Sequence, residues 1–366
     1  MKIWLISNMY PSKQAPNYGV FVKNTIENLE DSGHYIKKTV LYKNSNMFVK
    51  LFSYFKYYSA IILHGLLSEY DIIYVHYVAH NSFPLLFLKK IKPTIKIYTN
   101  VHGSDIVPEK LVHFKLQKYV KKLLEKSEKV IAPSNYFKGL IKQKYKLEDH
   151  QVYVYPSGGV NKEVFYAIDN KEEIFNKLNL DRSLKYIGYV GRLDYKKGWN
   201  VLLEALSFLN EEGFLIDKMA IFVGGGKEEE EFQKQVQLYK LDGKIIYYNM
   251  LSQEKLNEVY NCLDIFCFPT MREGESLGLV GLEAMAAGVP VIGSEIGGLL
   301  DYINHNKNGL LFEVGNSNDL REKLQDYFSF SFEKQTELKE ACLKTAEIYE
   351  VKRVQEQLKY IFSNEV

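Results

Sequence analysis

The stretch GESLGLVGLEAMAAGVPV, residues 274–291, decides the fold of the second half of the chain. Apart from Ser276 and the two glutamates Glu275 and Glu283, its side chains are apolar or absent. Gly288 is expected to end a buried helix, because glycine readily adopts the left-handed conformation at which helices often stop. An apolar, strand-like run precedes this loop and helix, and another follows them. The stretch therefore predicts a strand–loop–helix–strand unit.

The same alternation of short apolar runs and longer amphipathic stretches continues along the chain. The runs are rich in β-branched and aromatic residues and lack polar alternation, which is typical of parallel strands covered on both faces. We predict strands at 2–7, 71–76, 96–102, 129–134 and 152–156, and a second series at 186–191, 219–225, 244–249, 264–269 and 289–294. Two such series predict an α/β protein with two Rossmann-like, doubly wound parallel-sheet domains that face each other across a cleft.

The length of the chain supports two domains, because 366 residues exceed one ordinary hydrophobic core. We place an N-terminal domain at residues 1–165 and a C-terminal domain at 166–344. A last helix, at about 345–366, is expected to pack back on the N-terminal domain.

The composition indicates a soluble protein of a reducing compartment. Hydrophobic residues make up 46% and charged residues 25% of the chain, as in ordinary globular proteins. The three cysteines have no metal-type spacing, and we expect Cys262 and Cys267 to be reduced core residues. The opening residues read as a first strand rather than a secretory signal, and no apolar run reaches the roughly 18 residues that span a bilayer. These features predict a cytoplasmic protein.

The formal net charge of +2 hides a difference between the two halves of the chain. Residues 1–168 carry 24 lysines, no arginine and 12 acidic residues, a net +12, whereas residues 169–366 carry −10. No nucleic-acid-binding motif accompanies the basic half, so nucleic acid is not an expected partner. We interpret the lysines as an anion-steering or membrane-facing surface.

The two glutamates of the opening stretch are candidate ligand-binding residues. Glu283 falls within a helix whose other side chains are apolar, and a buried carboxylate without donors costs several kcal/mol. The vicinal hydroxyls of a ribose would be suitable donors. Glu275 lies in the loop before the helix, where free backbone N–H groups and the carboxylate could hold sugar hydroxyls. In the alternative interpretation, Glu283 is half of a core ion pair and Glu275 is an ordinary loop carboxylate.

The segment YVGRLDYKKGWNVLLEAL, residues 189–206, predicts an anion site. A strand ends at Gly191, and Arg192 and Lys197 follow in the loop before a helix. The guanidinium fork matches phosphate oxygens and a lysine adds a point charge, so the loop is suited to a diphosphate. The alternative is a solvated run of charge.

These two segments together resemble the retaining nucleotide-sugar glycosyltransferases of family 4, which have the GT-B fold. The resemblance consists of a glutamate, seven residues and a second glutamate, preceded by the Gly-Arg…Lys-Gly loop. Weaker similarity extends to residues 10–34, to NVHGSD at 100–105 and to VYPSGGVNKEVF at 154–165. It thus covers most of residues 1–320 and implies transfer of a sugar from a nucleoside diphosphate sugar, with a UDP-sugar as the expected donor.

The resemblance also implies roles for individual residues. Arg192 and Lys197 would hold the diphosphate and stabilise the charge on it as it leaves, Glu275 would hold the sugar hydroxyls, and Glu283 would bind the ribose. Gly19 would let an N-terminal loop approach the donor, because it has no Cβ. The residues expected in catalysis are His102, near the reacting carbon, Glu275, Arg192 and Lys197. The expected donor contacts are Gly19, Gly191, Arg192, Lys197, Asn249, Glu275, Ser276, Leu277, Gly278, Leu279 and Glu283.

The chain departs from the family pattern at three places. Leu277 stands where the family usually has phenylalanine, Asn249 replaces a glycine near the nucleotide base, and residues 156–159 replace the usual Pro-Asn-Gly. These differences concern the preference for a base and not the class of reaction.

Neither a metal nor another cofactor is expected. His76 and His80 are four residues apart but lack a third ligand, and we interpret them as packing or acceptor-lining residues. The three glycines of GGGKEEEEF, residues 224–232, lack the dinucleotide spacing and are interpreted as a tight turn. The chain contains no Asp-x-Asp sequence, the motif that metal-dependent glycosyltransferases of the other main fold would use.

The segment MFVKLFSYFKYYSAIILHGLL, residues 47–67, interleaves aromatic and aliphatic residues with Lys50 and Lys56. One interpretation is a pair of helices that face the core. The other is an amphipathic patch that contacts anionic lipid or a lipid-linked acceptor, aided by the lysines of residues 115–129. The second interpretation predicts a protein peripheral to the cytoplasmic face of a membrane.

The expected reaction is transfer of a sugar, with retention of its anomeric configuration, to a hydroxyl of a saccharide acceptor, lipid-linked, in the synthesis of cell-envelope or capsular polysaccharide or of a glycoconjugate. One alternative is another enzyme of the same architecture, either a nucleotide-sugar epimerase or a glycoside-cleaving enzyme with Glu275 and Glu283 as its carboxylate pair. The other alternative is a non-catalytic partner subunit that retains the fold.

Overall fold

The computed structural model describes residues 1–15, 18–44 and 46–363 and divides the chain into two units by contact. The first unit comprises Met1–Gly158 with Lys352–Val366, and the second comprises Gly159–Val351. Of the predicted last helix, residues 364–366 lie outside the described part.

The N-terminal unit alternates strands and helices around one parallel sheet. The sheet has the order β2-β1-β3-β4-β5-β6, and all of its neighbouring strands are parallel. Its elements are β1 (Lys2–Tyr10), α1 (Val20–Asp31), β2 (Tyr35–Tyr42), α2 (Met47–Leu67), β3 (Ile72–His76), α3 (Val78–Ile91), β4 (Lys96–Asn100), α4 (Leu111–Leu124), β5 (Lys129–Ala132), α5 (Asn135–Tyr145) and β6 (Val152–Val154).

The C-terminal unit repeats the architecture with the strand order β12-β11-β10-β7-β8-β9, again with parallel neighbours. Its elements are α6 (Glu172–Lys177), β7 (Lys185–Val190), α7 (Trp199–Glu211), β8 (Lys218–Val223), α8 (Glu229–Leu238), β9 (Ile245–Tyr248), α9 (Gln253–Cys262), β10 (Ile265–Phe268), α10 (Leu279–Ala286), β11 (Val291–Ser294), β12 (Gly309–Phe312), α11 (Ser317–Ser329) and α12 (Phe332–Ile348). One more helix, α13 (Val351–Ser363), completes the described chain.

Helices cover both faces of each sheet. In the N-terminal unit, buried side chains of α2, α3, α4 and α5 pack on one face, and those of α1 and α13 pack on the other. In the C-terminal unit, α6, α9, α10 and α12 cover one face, and α7, α8 and α11 cover the other. The predicted fold class, with two doubly wound parallel sheets, is therefore confirmed, and each of the ten predicted strands is present.

Two features differ from the sequence-based predictions. The edge strands β2 and β12 were not predicted, because β2 carries exposed lysines and β12 has only four residues. The interpretation of residues 47–67 as a pair of helices is wrong, since α2 is one continuous helix of 21 residues. Only Tyr57, Ile61 and Gly65 of α2 are buried, so most of this helix does not face the core.

The cysteines and the helices can be compared with the sequence-based expectations for them. Cys262, Cys267 and Cys342 are buried free thiols, as expected for reduced core residues. Within the described residues, no helix combines the length and the apolar character needed to cross a bilayer.

Candidate functional site

The candidate residues of the C-terminal unit lie at the carboxyl edge of its sheet. Because β10, β7, β8 and β9 are parallel neighbours, the loops that leave their carboxyl ends lie along one edge, where ligands bind in open α/β sheets. Arg192 follows β7, Glu275 follows β10, the glycines 224–226 follow β8, and Asn249 follows β9.

Lys197 and Glu275 form a buried ion pair at this edge. The Lys197 Nζ donates a hydrogen bond of 2.6 Å to Glu275 Oε2, and their side chains are only 16% and 10% exposed. Thr270, which sequence spacing did not single out, donates its hydroxyl to the same carboxylate oxygen at 3.1 Å. Lys197 and Glu275, to which the family resemblance assigns the phosphate and the sugar, are therefore hydrogen-bonded to each other.

The pair keeps Glu275 ionised. Burial alone raises the pKa of the Glu275 carboxyl, but the charge and the hydrogen bond of Lys197, the charge of Arg272 and the hydrogen bond of Thr270 together outweigh burial, and the net pKa is below its ordinary value. A lysine ammonium has three donors, and Glu275 uses one of them. Lys197 can thus bind a phosphate oxygen while it remains bonded to Glu275.

Arg192 differs from Lys197 in both exposure and pairing. Its side chain is exposed and forms no ion pair with any residue of the described part of the chain. Its carbonyl oxygen accepts hydrogen bonds from the Tyr189 hydroxyl, at 3.2 Å, and from the Asp194 N–H, at 2.8 Å, so the backbone of the loop is anchored. Arg192, directly after Gly191, is therefore a guanidinium free to meet an anion at the strand end.

The glycine of the Lys-Gly sequence is required by the fold of this loop. Gly198 has a φ of 75°, and a Cβ there would lie 1.7 Å from the Pro269 carbonyl oxygen. The Met271 N–H also donates to the Lys196 carbonyl oxygen at 2.9 Å. The loops after β7 and β10 are thus held against each other, which brings Lys197 to Glu275.

The loop before α10 presents unpaired backbone donors. In the described part of the chain, the N–H groups of Ser276, Leu277, Gly278 and Leu279 have no protein acceptor. Such N–H groups at a helix start favour an anion or a hydroxyl oxygen. Leu277 is fully buried in the core, whereas Ser276, Gly278 and Leu279 are partly exposed.

Glu283 has one polar partner among the described residues, the Tyr260 hydroxyl at 3.2 Å. Among the described residues, Glu283 does not form the ion pair that the alternative interpretation expected. Glu275 forms an ion pair instead, with Lys197. Burial raises the pKa of Glu283 to about 7, and the hydrogen bond from Tyr260 only partly opposes that rise. This carboxyl is therefore short of donors, as expected of a group that awaits ligand hydroxyls.

Asn249 and the three glycines lie together beside the Arg192 loop. The Asn249 amide donates to the Glu229 carboxylate at 3.1 and 3.2 Å, and a Cβ on Gly225 would lie 2.6 Å from Asn249 Oδ1. A Cβ on Gly226 would lie 2.3 Å from the Leu193 carbonyl oxygen. The glycine turn thus packs closely against the loops that follow β7 and β9.

His102 lies at the carboxyl edge of the N-terminal sheet, after β4. Its Nε2 is 3.1 Å from the Nδ1 of His76, and the two rings stack at 5.3 Å between centroids. The Tyr77 and Phe21 rings also contact it, at 4.6 and 4.7 Å between centroids. Burial lowers the pKa of His102 to about 3, so the imidazole is neutral at physiological pH.

Asp105 fixes the backbone around His102. It is buried, and its carboxylate accepts the N–H groups of Val78, Ala79 and His102 at 3.2, 3.3 and 3.0 Å. Asp105 therefore joins the start of α3 to the turn that carries His102. The HGSD sequence contained this residue, but its spacing gave no reason to assign it that role.

Gly19 has a structural reason to be glycine. It has a φ of 79°, and a Cβ there would lie 2.8 to 2.9 Å from backbone atoms of Met9 and Tyr10. Its contact with a donor remains a prediction. In residues 1–15, 18–44 and 46–363, no group of three or more His, Cys, Asp or Glu side chains could hold a metal ion.

Two family models match the chain and together cover most of it. The model described as glycosyl transferases group 1 matches residues 170–345, and the model described as Glycosyltransferase Family 4 matches residues 16–159. The chain belongs to glycosyltransferase family 4.

The curated relatives of this glycosyltransferase are distant. The N-acetyl-alpha-D-glucosaminyl L-malate synthase of Bacillus anthracis is 27% identical over 264 residues, which are 69% of this chain and 64% of that protein. The capsular polysaccharide biosynthesis glycosyltransferase CapM of Staphylococcus aureus is 29% identical over 170 residues, 46% of this chain and 43% of CapM. The chain therefore spans less than two thirds of these relatives.

Solved structures of other proteins share the fold over nearly the whole chain. The sucrose-phosphate synthase of Thermosynechococcus elongatus has a TM-score of 0.79 at 18% identity and covers 99% of this chain and 98% of its own. HepE of Anabaena, solved in complex with UDP, has a TM-score of 0.78 at 16% identity and covers 99% and 100%. The fold of this glycosyltransferase is GT-B.

Proposed function

We propose that this family 4 glycosyltransferase moves a sugar from a nucleoside diphosphate sugar to a hydroxyl of a saccharide acceptor and retains the anomeric configuration. The proposal rests on the groups found at the carboxyl edge of the C-terminal sheet. There an unpaired guanidinium, a buried lysine, an ionised carboxylate and free backbone N–H groups lie on neighbouring strand ends. Cations suit the diphosphate, and carboxylates suit the hydroxyls of a sugar and a ribose.

In the proposed mechanism, Arg192 and Lys197 hold the diphosphate and stabilise the negative charge that grows on it as it leaves. Glu275, held ionised by Lys197, accepts hydrogen bonds from the donor sugar, aided by the N–H groups of residues 276–279. Glu283 accepts hydrogen bonds from the ribose hydroxyls, in addition to the one that it already accepts from Tyr260.

The bond between the anomeric carbon and the phosphate oxygen breaks, and the acceptor hydroxyl attacks from the same face. The departing phosphate oxygen takes the proton of that hydroxyl, so no protein base is needed. Positive charge develops on the anomeric carbon as the bond breaks. A neutral His102 contacts the sugar without opposing that charge, whereas an imidazolium would repel it.

The acceptor is proposed to be a lipid-linked saccharide in the synthesis of capsular or cell-envelope polysaccharide or of a glycoconjugate. CapM, a relative over 46% of the chain, is named for capsular polysaccharide biosynthesis. The three buried free thiols support a reducing compartment, so we propose action at the cytoplasmic face of a membrane. We also propose that no metal is required, because Arg192 and Lys197 supply the positive charge at the diphosphate.

The test is a donor screen with product analysis. UDP-, GDP-, CDP- and dTDP-sugars are incubated with the enzyme, with and without acceptor saccharides, and nucleotide release and anomeric configuration are measured. UDP-glucose comes first, because HepE, which has the same fold, was solved with it. We expect acceptor-dependent release that EDTA does not abolish, and a product with the donor's configuration.

Three outcomes would contradict the proposal. An isomerised nucleotide sugar formed without acceptor would indicate an epimerase. Cleavage of a glycoside without any nucleotide sugar would indicate that Glu275 and Glu283 act as a hydrolytic pair. If calorimetry detects no binding of any nucleotide or nucleotide sugar, the chain is a non-catalytic relative.

A further inference from the structure

Three consecutive helices on one face of the N-terminal sheet contain no acidic residue. These are α2, α3 and α4, and their buried side chains share one core against the sheet. None includes Asp or Glu, and their lysines are Lys50, Lys56, Lys89, Lys90, Lys115, Lys118, Lys121 and Lys122. Lys121 pairs with Glu125, directly after α4, at 3.8 Å, and the helices themselves contribute no carboxylate that would compensate the remaining lysines.

The same helices expose large apolar side chains. On α2, Phe48 is 84%, Leu51 73% and Phe55 68% exposed. The other exposed apolar side chains of the layer are Met47, Val49, Phe52, Leu63, Leu67, Phe83, Phe87, Ile91, Leu111, Val112 and Phe114. Large contiguous apolar patches are rare on soluble monomers and mark sites of interaction with proteins or membranes.

Ring contacts, mostly between half-buried side chains, show that the three helices lie side by side. The Tyr54 ring of α2 is 6.0 Å from the His80 ring of α3, and His80 is 5.7 Å from His113 of α4. Further along, Phe83 of α3 is 6.2 Å from Tyr119 of α4. The outer sides of α2, α3 and α4 thus form one continuous surface, which we call the basic apolar face.

We propose that the basic apolar face binds the surface of an anionic lipid bilayer. Apolar side chains that enter the headgroup region and lysines that attract anionic lipid are the two components of interfacial binding. The absence of acids from the three helices gives the charge complementarity that an anionic surface requires. This inference deepens the proposed function, on which it rests for the lipid-linked acceptor, because it brings the enzyme to the bilayer that would hold that substrate.

The charge of this face favours lipid over a second copy of the chain. A two-fold interface brings the same surface of both protomers together, so the lysines of one copy would meet the lysines of the other. Such a contact has no acids on either helical layer with which to pair. In contrast, the anionic headgroups of a membrane can pair with the lysines while the same membrane buries the aromatic side chains.

The C-terminal unit provides a comparison on the same molecule. It also exposes single apolar side chains, such as Ile216 and Leu238. Leu238 ends α8, whose first turn contains Glu229, Glu230 and Glu231. An anionic surface would be repelled there, so these positions serve as matched controls.

The experiment is cosedimentation of the full chain with vesicles. One set is phosphatidylcholine alone and the other is phosphatidylcholine mixed with phosphatidylglycerol, each at low and at high salt. We expect binding to the mixed vesicles that weakens at high salt, because salt screens exposed charges. Equal binding to both vesicle types, or no binding to either, would overturn the proposal.

Two pairs of variants separate the charge from the apolar contacts. Replacing Lys115 and Lys122 by glutamine should weaken binding roughly 25-fold, at about fivefold for each lysine. Phe48→Ser with Leu51→Ser should weaken it by at least about tenfold, and both side chains are so exposed that folding is unaffected. The controls, Lys240→Gln with Lys307→Gln and Ile216→Ser with Leu238→Ser, should bind like the parent.

Oligomeric state and transfer activity give further tests of the proposal. If the parent is a dimer that ignores vesicles and Phe48→Ser with Leu51→Ser makes it a monomer, the face is an interface between copies and the proposal is wrong. Nucleotide release with a water-soluble acceptor should be unchanged in all four double variants. Vesicle binding without any transfer would contradict the proposed function alone, and transfer without vesicle binding would contradict this inference alone.

Discussion

The carboxyl edges of the two sheets carry different kinds of side chains. The C-terminal edge is charged, with Lys197 bonded to Glu275 at 2.6 Å and Arg192 beside them. The N-terminal edge has two stacked histidines, His76 and His102, at the strand ends. The same architecture therefore supports one edge with charged side chains and one with stacked imidazole rings.

The physical cause of the difference is whether burial is offset by a partner of opposite charge. Both glutamate and histidine lose their charged form when they are removed from water. At Glu275, Lys197 together with Arg272 and Thr270 outweighs burial, and the carboxylate stays ionised. At His102 no such partner offsets burial, and its pKa falls to about 3. Under the proposed function, the charged edge would bind the diphosphate and the uncharged edge would contact the sugar.

The largest expected effect comes from removing the cation of the charged edge. Lys197→Ala should lower the free energy of unfolding by about 3–5 kcal/mol, because it leaves the buried Glu275 carboxylate without its partner. Denaturant and thermal unfolding measure this change. Lys196→Ala, at the exposed neighbour, should melt like the parent.

A double variant shows whether the loss of stability in Lys197→Ala is caused by breaking the ion pair. Lys197→Met with Glu275→Gln removes both charges and should recover much of the stability that Lys197→Ala loses, although it should not transfer sugar. A single Lys197→Ala variant that unfolds like the parent would show that Glu275 has no need of this cation.

Arg192→Ala should separate stability from activity. We expect the transfer rate to fall roughly 10- to 150-fold, which corresponds to a charge-assisted contact of about 1.5–3 kcal/mol. The melting temperature should not change, because Arg192 is exposed and forms no ion pair within the described residues. Arg353→Ala, at an exposed arginine of α13, is the matched control and should leave both quantities unchanged. A normal rate in Arg192→Ala would remove this residue from the diphosphate site.

The strands and the grouping of the C-terminal loops could be predicted from the sequence. Strands buried on both faces read as unbroken apolar runs, and parallel strands must end at a common edge. That rule alone places Arg192, Asn249 and Glu275 at one edge of the sheet. The edge strand β2 could not be recognised, because Lys37 and Lys38 interrupt its apolar pattern.

The partners of the site residues could not be predicted. Spacing along the chain does not give side-chain direction, so Lys197 and Lys196 are equivalent in the sequence, yet only Lys197 reaches Glu275. Similarly, nothing in the sequence joins His76 to His102, or Tyr260 to Glu283. These pairs depend on the packing of distant segments.

The pH dependence of nucleotide binding tests a smaller electrostatic effect, at Glu283. Its pKa is about 7 in the ligand-free protein, and ribose hydroxyls that donate to the carboxylate should lower it in the complex. Binding therefore releases a proton, and the affinity should fall as pH decreases below 7, by up to about tenfold per pH unit. Calorimetry at several pH values measures this change, and Glu283→Gln should bind more weakly with a flat profile.

The same carboxyl should affect stability in the opposite direction. Because its pKa is raised above the unfolded value of 4.5, the folded state holds the proton more tightly. Stability is then fully present at low pH and is lost as pH rises toward and through 7. Glu283→Gln should remove this loss, so its melting temperature relative to the parent should be higher at pH 8 than at pH 5. A pH-independent difference would show that Glu283 does not titrate in this range.

Asp105→Asn should have the smallest effect, because it disturbs His102 only through the backbone. One of the three N–H groups that Asp105 accepts belongs to His102, and the asparagine amide would turn a donor toward one of these N–H groups. We expect kcat to fall by about 3- to 10-fold, on the order of one lost hydrogen bond, with the KM of the donor unchanged. Asp71→Asn, at the opposite end of β3, is the matched control and should leave kcat unchanged.

A double variant tests whether Asp105 acts by positioning His102. If Asp105 acts through His102, then Asp105→Asn should cost much less in a His102→Ala background than in the parent, because interacting residues are not additive. Fully additive losses would show that Asp105 supports the fold and does not position the imidazole. The neutral edge would then need only burial, and not an ordered backbone, to place His102 beside the sugar.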